Sequence, residues 1–281
     1  MNRIKIATSY DSSWLEVDRP QPLIDNKIES ITKSISAGND FTDQVYVDFK
    51  REMTGWLFNS QLNHIVGFDY FNRVDIINGC TQFIDNLYMQ GPVQVLRHDY
   101  RYHERLGLAY IKDVGSLIPD VPLIIAMPFP SVGDKHPDME EILYEAKNKR
   151  ISVHVDGAWV TCSRGINFDL SDPSIKSVAI SLSKGLGLGW NRIGIRWTKD
   201  TLADSISIMN DFHMNNRALS IIGLHFIRNL EPDYLWKTHA NRNAKICSDF
   251  NLVPTPSIHI ALRNGQPVGL SPLIRYLENN E

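Results

Sequence analysis

The stretch from His154 to Trp197, HVDGAWVTCSRGINFDLSDPSIKSVAISLSKGLGLGWNRIGIRW, decides the fold. The runs ISVHV (151–155), KSVAISL (176–182) and RIGIRW (192–197) are short, apolar and rich in β-branched residues, which predicts strands. Asp156 closes the first of them. In an open parallel sheet ligands bind beyond the carboxyl ends of the strands, so a carboxylate there faces a candidate site. Lys184 follows Asp156 by 28 positions (156 to 184), inside the glycine-rich SLSKGLGLG, and Arg192 follows that lysine by eight (184 to 192). Singly, each has an ordinary reading: a turn-forming Asp, a solvated Lys, a surface Arg. Their joint spacing carries the information.

Working outward, VDIIN (74–78) reads as a strand and TQFIDNLYM (81–89) as a helix with Phe83, Ile84, Leu87 and Tyr88 apolar. PVQVL (92–96) and VPLIIAM (121–127) read as strands, the latter apolar throughout as expected when both faces are covered. DMEEILYEAKNKR (138–150) is acidic in its first turn and basic in its last, which suits a helix dipole. This strand–helix alternation predicts an α/β fold with a mostly parallel central sheet flanked by helices. PQPLIDNKIESITKSI (20–35) predicts one helix. After Trp197 three helical stretches follow, TLADSISIMNDF, ALSIIGLHFIRNL and DYLWKTHANRNAKICSDF, and SIHIAL (257–262) is the one clear later strand. The expected organisation is an N-terminal segment (1–40), a large domain (41–200) and a helical, reduced C-terminal subdomain (201–281).

Composition narrows the class. The 281 residues are 43% hydrophobic and 22% charged, ordinary for a globular chain. A formal net charge of -3 argues against non-specific nucleic-acid binding. No apolar run approaches the roughly 20 residues of a membrane span. The opening MNRIKIATSYDSSW lacks the pattern of a secretory signal, and three scattered cysteines suit a reducing compartment, so a cytoplasmic location is expected. His98 and His103 make no metal spacing and no CxxC pair occurs, so no metal is expected.

S-x-S-K followed by R-I-G, downstream of a strand ending D-x-A-aromatic, resembles the fold-type-I pyridoxal-phosphate (PLP) enzymes, especially class I/II aminotransferases. The resemblance runs from about Asp75 to Trp197 and implies the aspartate aminotransferase-like PLP-dependent transferase fold. It implies that Asp156 pairs with the cofactor's pyridine nitrogen, that Lys184 forms the Schiff base, and that Ser181 and Arg192 hold the phosphate, with Ser183 alongside. The NGCTQ turn (78–82) places Gly79, Cys80 and Thr81 where a helix N-terminus could receive that phosphate, although a plain strand-to-helix turn has the same look. An aromatic ring stacked on the cofactor is implied about twenty residues on. HDYRYHE (98–104) offers Tyr100 and Tyr102, of which Tyr100 is the choice. A homodimer is implied, with Tyr46 a candidate contact lent to the neighbouring subunit.

Three departures stand out. Many family members carry an N-P-x-G turn whose Asn meets the cofactor's phenolic oxygen, whereas MPFPSVGD (127–134) has no Asn. The aromatic three positions after Asp156 is Trp159 where Tyr is usual, and an indole N–H is a donor only. The chain ends 97 residues after the lysine (184 to 281), which is short for the family. Arg263 is the candidate clamp for a substrate carboxylate, with a solvated strand-end Arg as the alternative. His154 shares a strand face with Asp156, either orienting it or serving as a core histidine.

The expected function is a PLP-dependent aminotransferase moving an amino group between an amino acid, amino sugar or amine-like donor and a keto-acid acceptor. The alternatives are a decarboxylase or lyase on the same scaffold, or a degenerate, non-catalytic PLP-fold protein.

Overall fold

The computed structural model describes residues 6–16, 22–34, 42–200 and 203–281. The rest of the N-terminal segment and the first two residues of the helix expected from 201 lie outside the described residues. Helix α1 (Asn26–Ser34) starts where Asp25 accepts the backbone N–H of Ile28 at 2.8 Å, a side-chain cap on an otherwise unpaired donor. Helix α2 (Gln44–Phe58) leads to β1 (His64–Val66) and β2 (Arg73–Ile77). Helix α3 (Cys80–Gln90), β3 (Gln94–Val95), the short α4 (Tyr102–Arg105), β4 (Leu123–Ala126), α5 (Met139–Asn148) and β5 (Val153–Asp156) follow. Then come β6 (Asn167–Asp169), β7 (Ile175–Ser181), α6 (Leu182–Gly185) and β8 (Gly194–Thr198).

Strands β2, β8, β7, β5, β4 and β3, in that order, form the central sheet. Three of its five pairings are parallel, and the two antiparallel ones both involve β8. Five strands therefore point one way and β8 alone points back, which bears out the mostly parallel expectation. The pleat sends alternate residues to opposite faces. Ile77, Val95, Ile124 and Ala179 pack with Phe83, Ile84 and Leu87 of α3. Ile76, Ile125, Val178, Ile180 and Ile195 belong to the larger core on the other side. Both faces are covered, and this is why VPLIIAM shows no polar alternation.

Beyond β8 lie α7 (Ser205–Asp211), α8 (Arg217–Asn229), α9 (Tyr234–Asp249), β9 (Val253–Pro254), β10 (Ile260–Arg263), β11 (Gln266–Gly269) and α10 (Ser271–Asn280). β11, β10 and β9 make an antiparallel three-stranded sheet, so the single later strand expected from the sequence is one of three. A buried ion cluster anchors β8 and β2 to α7: the Arg196 guanidinium meets Asp75 at 2.6 Å and also Asp204, which caps α7. No helix among the described residues is long and apolar enough to cross a membrane.

Candidate active site

The carboxyl ends of β2, β5 and β7 lie at one edge of the sheet, and the reversed β8 begins at that same edge. Asp156 ends β5, is buried, and accepts the backbone N–H of Ala158 at 3.0 Å. Burial pushes its carboxyl pKa up. The Cys80 thiol, the Ala158 N–H and the charges of Lys184 and Arg192 oppose that rise. Cys80 opens α3; its thiol donates to the Ala179 carbonyl at 3.5 Å, and burial pushes its own pKa well up.

Gly79 precedes that helix with φ +78° and ψ 166°, a backbone state open to glycine. A Cβ there would lie 3.0 Å from Arg192 Nη2 and 3.3 Å from Ser183 Oγ. Arg192 donates from Nε to the Asn78 carbonyl at 3.1 Å and from Nη2 to Thr81 Oγ1 at 2.6 Å. Ser183 Oγ is buried and has no hydrogen-bond partner. Ser181 is also buried but sits deeper, its hydroxyl beside the Cys80 thiol. A glycine, a hydroxyl pair, a guanidinium and a helix N-terminus thus converge, the donor set that receives a phosphate dianion.

Lys184, in α6, places Nζ 4.8 Å from the centroid of the Trp159 indole. Helix α6 comes this close to the turn after β5 because residue 185 is glycine; a Cβ there would fall on the Thr161 side chain. Gly194 acts likewise at the start of β8, where a Cβ would meet the Ile180 carbonyl, so the glycine of R-I-G is a packing requirement.

Tyr100 is half-buried and stacks on Tyr102 with ring centroids 5.8 Å apart at 23°. Tyr102 donates to Asp85 at 2.6 Å, so this aromatic pair packs against α3, the helix that Gly79 precedes. His154 hydrogen-bonds Ser177 Oγ at 2.7 Å and packs edge-on to Phe83, the arrangement of a core histidine. Met127 stands at the end of β4 in the turn that lacks the family's Asn, donating its N–H to the Asp156 carbonyl at 2.9 Å. Arg263 ends β10 and pairs with Gln266 next to the turn of the β10–β11 hairpin.

Tyr46 corrects an expectation. It is buried and donates to the Asn215 carbonyl of its own chain at 2.7 Å, so its hydroxyl is committed inside the subunit.

Two site neighbours went unread in the sequence. Asp99 is buried, accepting from Tyr100 N at 2.5 Å and from Ala126 N at 3.0 Å; burial, helped by the charge of Asp156, raises its pKa to about 7. His259 packs its ring on Trp159 at 4.8 Å. Neither carries a local motif. Elsewhere Asp25, His239 and Glu278 cluster. There Arg242 donates to His239 Nδ1 at 3.1 Å, leaving Nε2 as the donor to Asp25 at 2.8 Å, so neither imidazole lone pair is open to a metal.

No family model matches the sequence, and no curated protein sequence matches it. Solved structures do. Aspartate aminotransferase from Thermotoga maritima aligns with a TM-score of 0.61 over 94% of this chain and 90% of its own, at 13% identity. Its fold is that of the aminotransferases. Alanine aminotransferase from Pyrococcus furiosus aligns at 0.60 over 94% and 75%, with 15% identity. The aminotransferase fold is also shared by a PLP-bound C-S lyase from Staphylococcus hominis, at 0.56 over 92% and 81% with 10% identity. At these identities the likeness is one of fold.

Proposed function

We propose that this chain is a PLP-dependent aminotransferase, transferring an amino group from an amino acid, amino sugar or related amine to a keto acid, with the cofactor on Lys184. One observation carries the reading: the buried, unpartnered Ser183 hydroxyl and the Arg192 guanidinium converge on Gly79, at the same edge of the sheet as Asp156 and Lys184. These residues fit the cofactor. Arg192, Thr81, Ser183 and the N–H groups opening α3 would hold the phosphate, the geometry favouring Ser183 over Ser181. Asp156 would hold a proton on the ring nitrogen, and Trp159 would flank the ring. When bound, PLP supplies an electron sink for bonds at the substrate's α carbon. Lys184 Nζ would hold the cofactor through its aldehyde and would carry a proton to or from that carbon.

The C-S lyase among the structural neighbours favours a second reading, elimination on the same residues. A homodimer in the cytoplasm completes the proposal, supported by three unpaired cysteines and by exposed apolar side chains taken up below.

Borohydride reduction of the protein with PLP, followed by peptide mapping, is expected to leave a phosphopyridoxyl label on Lys184 that Lys184→Ala abolishes. Incubation with amino acids and no keto acid is then expected to yield stoichiometric pyridoxamine phosphate. A label-free Lys184 overturns the cofactor reading. Turnover to ammonia and a keto acid, without pyridoxamine phosphate, selects the lyase.

A further inference from the structure

Two polar side chains, those of Lys184 and His259, lie against the Trp159 indole. Lys184 Nζ lies 4.8 Å from its centroid, and the imidazole of His259 lies 4.8 Å from it at a 41° tilt. His259 comes from the far end of the chain, just before β10, and is fully buried. The backbone around it is pinned to the turn that carries Trp159. Ile258 N donates to the Cys162 carbonyl at 2.9 Å, and the Ser257 and Ser163 hydroxyls meet at 2.7 Å. From behind, Asn243 donates to the Ile258 carbonyl at 2.7 Å and Leu270 N to the His259 carbonyl at 2.9 Å. His259 Nε2 lies 3.7 Å from Cys162 Sγ, and Nδ1 is buried with no hydrogen-bond partner.

The ionisable groups facing this imidazole are Lys184 and Cys162. Burial lowers its pKa to about 3 and the positive charge of Lys184 adds to that, so the ring is neutral at ordinary pH. A neutral ring cannot act on the lysine by charge. What remains is its contact with the indole.

We infer that His259 is a positioning residue: its ring braces the Trp159 indole against the Lys184 amine, so that the C-terminal sheet governs the protonation of the cofactor lysine through an aromatic face. The inference rests on the reading of Lys184 given above. An indole face near an ammonium favours the charged form. A ring free to swing away would therefore lower the pH at which the amine gives up its proton.

The test is competitive acetylation of Lys184 against pH in cofactor-free protein, read by peptide mass spectrometry. His259→Leu fills the space without a ring and is expected to lower the labelling midpoint by about half a pH unit, roughly a threefold rise in rate at fixed pH. His259→Phe, which keeps the ring, is expected to restore the wild-type midpoint. Trp159→Leu should shift it as His259→Leu does, and the double variant should shift it no further. Should His259→Leu not fold, His259→Met replaces it. An unchanged midpoint in a folded His259→Leu or His259→Met protein overturns the inference, as do shifts that add in the double variant. These midpoints are measured without PLP, so failure of the phosphopyridoxyl label in the wild type is a separate result.

Discussion

Asp99 shows what burial does to a single carboxylate. It ionises in the folded protein near pH 7 but in the unfolded chain in the ordinary aspartate range. Between those values the folded state binds more protons than the unfolded one, so stability falls as pH rises. Replacing it with Asn removes the ionisation and at most one of its two backbone contacts. The stability of the wild type relative to Asp99→Asn is therefore expected to fall by roughly 2 kcal/mol between pH 5 and pH 8, measured by urea unfolding. A pH-independent difference would show that Asp99 is ionised throughout.

At the scale of elements, glycines decide how closely α6 approaches the turn after β5. Gly185→Ala would drive a methyl group into Thr161 and is expected to cost about 2 kcal/mol or more, and to weaken phosphopyridoxyl labelling of Lys184. The same change at Gly55, on the exposed side of α2 with nothing within 4 Å, is expected to add about 0.5–1 kcal/mol. Equal urea midpoints for the two variants would contradict this packing. The elements themselves were largely legible: β4 announces itself as a continuous apolar run, β5 and β7 as short runs rich in β-branched residues, and Lys184 and Arg192 lie within one short stretch. The backward course of β8 was not, because direction depends on which neighbour a strand pairs with. Nor were Asp99, His259 and the internal bond of Tyr46, since each acquires its meaning from a partner distant in sequence or from burial alone.

At the scale of the whole molecule, the surface keeps large apolar groups in water: Trp190 is 69% exposed, Phe212 73% and Met214 64%. Phe212 and Met214 flank His213, whose ring packs on Tyr46 of α2, close in sequence to the exposed Val47. Exposed apolar side chains of this size suit burial by a second copy. Sedimentation velocity is expected to show a dimer at micromolar concentration and a monomer for the double variant Phe212→Asp/Met214→Asp; a monomeric wild type would refute it. The pairing of β2 with β8 has a different consequence. It joins residues 73–77 to 194–198, closing a loop of about 120 residues at one rim of the sheet. Contacts of such long separation form late and slowly. The proposed phosphate cradle spans this seam, with Gly79 on one side and Arg192 on the other. An anion bound there would act as a rivet across this long-range join, favouring finished molecules over those whose rim strand has peeled away.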